Sequence, residues 1–155
     1  MKRAPFQVLV IPFIRSDDGT IKYCVLKRES STGGYWQFVA GGGAVGETKF
    51  ETARRESSEE IGSDPNSELI ELDSMTMIPV VNVCGFKWGK DTIVIPEYCF
   101  GIELSTEELS LSHEHTAYQW LSFDEAHKLV HWESNRIALW ELNHRLRNNM
   151  VRASR

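Results

Sequence analysis

The chain has 155 residues, a composition ordinary for a globular protein and a formal net charge of −5. This length predicts a single domain over residues 1–155 that buries about two-thirds of the unfolded surface. The acidic balance argues against a broad surface for nucleic-acid polymers. No apolar run is long enough to span a bilayer. We therefore expect no membrane partner and a cytoplasmic location.

The N-terminal part of the chain alternates β-rich segments with turn signals. Predicted strands cover residues 6–15, 21–28 and 35–40. Asp18-Gly19 is a hairpin signal between the first two. Pro12 predicts a bulge or an edge in the first strand. Residues 6–14 also lack a small-residue cleavage site, which favours a strand over a signal peptide.

A glycine-rich segment, 41–46, is followed by helix-forming residues from Glu47 to Ile61. Gly62 stands where a glycine commonly ends a helix. One side of this helix is predicted to be buried because apolar and small residues recur at helical spacing. They are Phe50, Ala53, Ser57 and Ile61.

The same helix carries three glutamates on another side. Glu56, Glu59 and Glu60 are spaced i, i+3 and i+4, and each like-charge pair costs roughly 0.2–0.5 kcal/mol. They also lie in the last turns, where the helix dipole favours cations. The face is either simply solvated or a site for a divalent cation, which takes several carboxylate oxygens. The preceding glycines would let backbone N–H groups approach a phosphate.

The second half of the chain continues the mixture of strands and helices. The predicted order is a loop at 63–67, one or two strands in 69–83 around Pro79, a hairpin or loop at 84–91, a strand at 92–104, a loop at 105–115 and a strand at 116–121. Ser122 is a predicted N-cap, with Glu125 at the capping-box position, for a helix to about Leu129.

A last helix is predicted from about residue 134 to 148, with an apolar face and a basic end that suits the helix dipole. The apolar face is Leu139, Leu142 and Leu146, and the basic residues are Arg145, Arg147 and Arg152. The tail beyond is expected to fray. Strands on both sides of a central helix, with a helix at the end, predict an α/β fold with a mixed sheet.

Cys24, Cys84 and Cys99 are odd in number and lie in apolar contexts. This pattern favours buried reduced thiols over a disulfide or a nucleophile.

The spacing of Gly41, Glu47, Arg55-Glu56, Glu59-Glu60 and Gly62 resembles the Nudix box, G-x5-E-x7-R-E-U-x-E-E-x-G-U, where U is bulky and apolar. All seven fixed letters match, and serines occupy the two U positions, 57 and 63. The resemblance implies the Nudix fold, a mixed β-sheet sandwiched between α-helices. It also implies that water attacks a phosphorus of a nucleoside diphosphate linked to another group, with Mg2+ or Mn2+ as cofactor.

The resemblance also assigns roles to the box residues. Arg55 would orient Glu56 through a charge-assisted hydrogen bond, and Glu47 would hold the loop to the helix. The implied metal ligands are Glu56, Glu60, Glu59 and the carbonyl of Ala40. The implied catalytic residues are Arg55, Glu56, Glu59 and Glu114.

Glu114 lies outside the box, within His113-Glu114-His115. In an extended chain both histidines would face one side and Glu114 the other. The segment has three interpretations: a surface loop, a catalytic carboxylate at Glu114, or a zinc cluster. The resemblance favours the catalytic carboxylate, because the family usually adds one from outside the box.

Further motifs resemble the Nudix branch that includes dihydroneopterin triphosphate and dATP pyrophosphohydrolases. They are Lys27-Arg28, Tyr35-Trp36-Gln37, Glu114-His115-x-Ala117-Tyr118-x-Trp120-Leu121 and Ser134-Asn135-Arg136. That branch releases pyrophosphate and leaves a monophosphate. The implied partner is therefore a small-molecule nucleotide or pterin triphosphate.

The predicted substrate-binding residues are Lys27, Arg28, Trp36, Gln37, Gly41, Gly42, Tyr118 and Arg136. The basic ones could bind phosphate, for which Arg offers a forked geometry. The aromatic ones could stack on a pterin or purine ring. Taken singly, each basic residue is better explained as a surface charge, whereas Trp36 is equally explained as part of the core.

Two other functions stay open. One is a Nudix hydrolase for dinucleoside polyphosphates, nucleotide sugars or oxidised nucleotides. The other is a non-catalytic Nudix module that binds a nucleotide, although such a module would be expected to lose box carboxylates. Family members often form dimers, so a homodimer is a further expectation.

Overall fold

Seven strands form one mixed sheet in the computed structural model, which describes residues 1–151. The strands are β1 (Arg3–Arg15), β2 (Ile21–Arg28), β3 (Trp36–Gln37), β4 (Val39–Ala44), β5 (Leu69–Pro79), β6 (Val94–Glu103) and β7 (His115–Leu121). Their order is β3-β2-β1-β6-β5, and β4 pairs with β1 and β7 with β2. The β1–β6 pair is parallel and the other pairs are antiparallel. Arg152 and the tail predicted to fray lie outside the described residues.

Strand β1 runs through the middle of this sheet, so the predicted edge at Pro12 is wrong. On one side, β6 continues past Pro12, which lies opposite Ile102. On the other side, β4 pairs with β1 as far as Val10, and β2 takes over at Phe13. Pro12 therefore lies where the neighbouring strand changes, and its missing N–H interrupts no pair there. The register shift in β1 is nearer its start, between Arg3 and Gln7.

Alternating residues of β1 enter two separate cores. Val8 and Val10 pack with Ala53 and Ile61 of the first helix, α1 (Lys49–Ile61). Leu9 and its alternate neighbours pack with the two later helices, α2 (Phe123–Leu129) and α3 (Glu133–Arg147). Because successive side chains of a strand point to opposite faces, one central strand supports helices on both sides. The sheet is therefore sandwiched between helices, as predicted.

Helix α1 begins two residues later than predicted, because Thr48 caps it. The Thr48 hydroxyl accepts from the backbone of Glu51, whose carboxylate accepts from the backbone of Thr48. This reciprocal capping box satisfies two free N–H groups of the first turn. At the other end, Gly62 adopts the left-handed conformation at φ 70°, which confirms the predicted end of the helix.

Most remaining elements follow the prediction, but the predicted strand 35–40 forms two strands, β3 and β4, and β4 continues through the glycines to Ala44. The Asp18-Gly19 turn joins β1 to β2, and Gly19 has φ 87°. Ser122 and Glu125 form the predicted capping box of α2. The segment 69–83 holds one strand, β5, which ends at Pro79 and pairs with β6 across the connection 80–93. Within residues 1–151, no helix is both long and apolar enough to cross a membrane.

The three cysteines do not share one environment. Cys24 and Cys99 are buried free thiols, as predicted, and burial raises the pKa of Cys24 to about 12. Cys84 is a free thiol too, but it is exposed, so the prediction that it is buried is wrong. Its apolar neighbours Val81 and Phe86 are themselves exposed, which explains why an apolar context was misleading there.

Candidate active site

Helix α1 presents its glutamates to the sheet unequally. The Glu60 side chain is only 2% exposed, that of Glu56 is 13% exposed, and that of Glu59 is 57% exposed. Glu56 packs on β4, where a Cβ added to Gly41 would lie 2.0 Å from the Glu56 Cδ. Glycine at position 41 is therefore what allows the helix carboxylate to lie directly on the strand.

Arg55 ties the helix to the glycine-rich strand. It donates to both carboxylate oxygens of Glu47, at 2.8 and 2.9 Å, and to Glu56 Oε1 at 2.8 Å. A further bond reaches the Gly42 carbonyl at 3.0 Å. Arg55 is thus placed to orient Glu56, and Glu47 is placed to hold the loop to the helix. The bond to Arg55, helped by those from Ala44 and Thr52, lowers the pKa of Glu47 to about 2.

The lowered pKa of Glu47 predicts a pH-dependent contribution to stability. The ionised carboxylate is favoured in the folded state, so the contribution is complete above the usual pKa of 4.5 and disappears as the pH falls towards 2. We expect Glu47→Gln to lower the free energy of unfolding by about 1–3 kcal/mol at pH 7. The difference from wild type should shrink between pH 4.5 and 3, as measured by urea denaturation.

Glu71→Gln is the matched control, since it removes one partly exposed ion pair with Lys49. It should change the free energy of unfolding by at most about 1 kcal/mol at pH 7. A Glu47→Gln deficit that stays constant from pH 7 to 3 would contradict the role given to Glu47.

Glu60 lies close to a second carboxylate and an imidazole, which belong to the turn before β7 and to its first residue. Ligand atoms of Glu60, Glu114 and His115 all lie within 4.8 Å of one another. The His115 Nδ1 is 3.7 Å from Glu60 Oε1. The prediction that Glu114 and His115 face opposite sides is wrong, because the chain turns at residues 113–114 before β7 begins at His115. Of the three candidates in this segment, His113 lies outside the described cluster.

The cluster is electrostatically unsatisfied. Both carboxylate oxygens of Glu60 and both ring nitrogens of His115 are buried without a hydrogen-bond partner among the described residues. Burial, followed by the nearby Glu56 and Glu114, raises the pKa of Glu60. Burial and the charge of Arg28 lower the pKa of His115 to about 4. Carboxylate oxygens and one imidazole nitrogen are groups that bind divalent cations, so this cluster fits such an ion.

A cavity of 660 Å3 opens beside this cluster, a size typical of small-molecule sites. Many of the predicted site residues line it. They are Arg28, Gln37, Ala40, Gly41, Gly42, Arg55, Glu56 and Glu114.

Other predicted site residues lie away from this cavity. Arg136 donates to Glu133 and to the carbonyls of Val130 and His131, so its fork is used inside the protein. The Tyr118 hydroxyl accepts from the backbone of Leu109.

Trp36 packs against the core beside α2 and α3, and Tyr118 packs against the core beside α1. Lys27 is half-buried on β2, and Glu59 extends towards solvent, 3.4 Å from Arg55.

The cavity also contains residues that sequence reasoning missed. Tyr35 and Trp132 line it, with their rings edge to face at 5.3 Å. Arg3 lines it with two buried nitrogens that lack a partner within residues 1–151. Gln7, which is half-buried, and Glu97, which is buried, form a hydrogen-bonded pair in its wall. The sequence signal for this pair is a polar residue within an otherwise apolar strand. Gln7 is such a residue in β1, and Glu97 is such a residue in β6.

Comparison with known families decides the classification. The NUDIX domain matches residues 5–140. The chain belongs to the NUDIX family. It is a Nudix hydrolase, an enzyme that acts on phosphoanhydride bonds.

Individual Nudix proteins extend this comparison. The chain is 32% identical over 125 residues to the asymmetrical bis(5′-nucleosyl)-tetraphosphatase of Rattus norvegicus, covering 81% of this chain and 80% of that protein. It is 43% identical in sequence to a Listeria monocytogenes protein that is assigned to the NUDIX hydrolases and has a crystal structure. The two structures superpose with a TM-score of 0.86, over 97% of this chain and 100% of that one.

The E. coli dihydroneopterin triphosphate pyrophosphohydrolase shares the fold at 24% identity. Its TM-score is 0.73, over 92% of this chain and 99% of that one.

Proposed function

We propose that this protein is a metal-dependent Nudix pyrophosphohydrolase that cleaves a pterin or (deoxy)nucleoside triphosphate to a monophosphate and pyrophosphate. Dihydroneopterin triphosphate and dATP are the favoured substrates. The observation that carries the proposal is that the box residues Arg55 and Glu56 line one cavity together with Glu114, which also belongs to a cluster with the buried Glu60 and His115. That cavity also has basic and aromatic residues in its wall.

Glu56, Glu60 and Glu114 are the proposed metal ligands, with His115 as a nitrogen donor to the same cluster. A bound Mg2+ or Mn2+ would supply Lewis acidity and a more acidic water. Glu59 is a weaker candidate than the box spacing suggested, because its side chain is largely exposed. The carbonyl of Ala40 stays a predicted ligand, since this residue lines the cavity.

The chain's own residues would bind and orient the triphosphate. Arg28 and Arg3 line the cavity, and each has a buried guanidinium nitrogen without a partner in the described part of the chain. Guanidinium groups bind phosphate oxygens through two parallel hydrogen bonds. Arg55, already bound to Glu47 and Glu56, keeps the Glu56 carboxylate oriented towards the cavity. Tyr35 and Trp132 offer aromatic faces for a planar ring.

A second candidate substrate class is the dinucleoside polyphosphates. It is favoured by the 32% identity to the rat bis(5′-nucleosyl)-tetraphosphatase. The two classes differ in their products, because a dinucleoside tetraphosphate yields two nucleotides and no pyrophosphate.

The proposal is tested with a panel of dihydroneopterin triphosphate, dATP, GTP and a dinucleoside tetraphosphate, each with Mg2+ or Mn2+. Products are identified by 31P NMR and ion-exchange chromatography. We expect pyrophosphate and a monophosphate from at least one triphosphate. Faster cleavage of the dinucleoside tetraphosphate would favour the second candidate. Absence of turnover on every substrate would indicate a binding module instead.

A further inference from the structure

We propose that Glu97 determines specificity by accepting hydrogen bonds from a ring N–H and the adjacent exocyclic amino group of the substrate. Guanine and pterin rings carry this donor pair, whereas adenine does not. The proposal rests on the proposed function and narrows its substrate class to 2-amino-oxo heterocycles, so that it retains dihydroneopterin triphosphate and excludes dATP.

Glu97 is a buried carboxylate with half of its hydrogen-bonding capacity unused. Its side chain belongs to the cavity wall, and the residue is 4% exposed. The Gln7 amide donates to Glu97 Oε2 at 2.7 Å. Glu97 Oε1 is buried and has no hydrogen-bond partner among residues 1–151. Burial raises the pKa of Glu97, and the Gln7 and Ser134 side chains, which favour the ionised form, oppose that rise.

Such an arrangement is costly for the unliganded protein. A buried acceptor without a partner loses its hydrogen bonds to water and forms none within the protein. An apolar residue would fill the same position in β6 without that cost, as Ile95 and Cys99 do on the same face of the strand. The carboxylate therefore makes physical sense as a ligand-facing group whose missing donors are supplied by the substrate.

Gln7 fixes the direction of this carboxylate and links it to the Nudix box. In the sheet, Gln7 of β1 lies opposite Glu97 on one side and opposite Gly42 on the other. Glu97 is thus two strand spacings, roughly 10 Å, from the glycine-rich strand. Ribose or a short polyol side chain can bridge that span between the phosphates and the ring.

The acceptor chemistry of a carboxylate determines which edge of a substrate ring Glu97 can bind. Ionised Glu97 can only accept hydrogen bonds. Guanine and pterin present two adjacent donors, which match two acceptor sites. Adenine presents one amino donor beside a ring nitrogen that is itself an acceptor, so the carboxylate would face a lone pair. Sites built to hydrogen-bond a substrate reject analogues that leave their buried groups unpaired.

The decisive variant is Glu97→Gln, assayed as the ratio of kcat/KM for GTP to kcat/KM for ATP. We expect this ratio to fall roughly 10–100-fold, because the variant loses one charge-assisted hydrogen bond to the ring. The value for ATP should hold or rise, because an amide offers the acceptor and donor that adenine needs. Glu103→Gln is the matched control on β6, since Glu103 pairs with Arg15 in a partly exposed ion pair. An unchanged ratio in Glu97→Gln overturns the proposal.

Two further measurements keep the test independent of folding and of turnover. Wild-type enzyme should use ITP, which lacks the 2-amino group, at least roughly 10-fold less well than GTP. Equal use of both would refute the role of Glu97 without any variant. Metal-free binding of guanosine, neopterin and adenosine is measured by calorimetry. Tighter binding of the first two, lost in Glu97→Gln, supports the proposal even if the enzyme cleaves no triphosphate, and tighter binding of adenosine overturns it.

Discussion

Replacement of Glu60 with Gln is expected to lower kcat by roughly 10²–10³-fold, the effect of removing one essential electrostatic group from an active site. The fold should survive, because the amide has the same shape. Burial beside Glu56 and Glu114 already disfavours the ionised form of Glu60, so a neutral amide should be tolerated there without metal. We therefore expect the melting temperature without metal to stay the same or rise while activity falls. Steady-state kinetics and thermal denaturation of the same preparation check both parts.

Glu59→Gln is the matched control for this experiment. It lies on the same helix and belongs to the same motif, but its side chain is 57% exposed and lies outside the cluster of Glu60, Glu114 and His115. We expect it to retain activity within roughly 10-fold of wild type. Near-full activity in Glu60→Gln would contradict the metal assignment, and equal losses in both variants would restore Glu59 as a ligand.

Arg55→Lys is expected to destabilise the protein and to reduce activity. Lysine keeps the charge but cannot reproduce the fork that joins Glu47, Glu56 and the Gly42 carbonyl. Arg55 is four-fifths buried, so its partners would lose hydrogen bonds away from solvent. We expect the free energy of unfolding to fall by about 2–4 kcal/mol. We expect kcat to fall as well, because Glu56 would no longer be held in one orientation.

The neighbouring Arg54 provides the control for Arg55. Among residues 1–151, Arg54 donates only to the carbonyls of Pro65 and Ser67, in the loop after α1. Arg54→Lys should cost about 1 kcal/mol of stability and leave kcat unchanged. If Arg55→Lys behaves like Arg54→Lys in urea denaturation and in turnover, Arg55 has no special role in positioning Glu56.

The parts of this protein that the sequence predicted are those determined by local spacing. The glutamate helix, its end at Gly62 and the cap at Ser122 depend on residues within a few positions of one another. The sequence predicts the start of α1 too early because Glu47 is a good helix former. The Thr48–Glu51 capping box moves it two residues on.

Contacts between distant segments could not be predicted in this way. The Gln7–Glu97 pair joins residues 90 positions apart, and it depends on a strand order that no spacing reveals. Arg136 shows the opposite limitation. Its position beside a helix start was compatible with phosphate binding, but nearby carbonyls and Glu133 use its donors instead. The sequence alone could not distinguish an internal partner from a ligand.

The parallel pairing of β1 with β6 also affects how this chain folds. Residues 7–13 must meet residues 97–103 before the middle of the sheet exists, and closing so long a loop is slow compared with forming a helix or a hairpin. The 13-residue helix α1 is too short to be stable alone in water. A nascent chain that lacks β6 would therefore carry the whole Nudix motif without a completed cavity, and competence for catalysis should appear in one late, cooperative step.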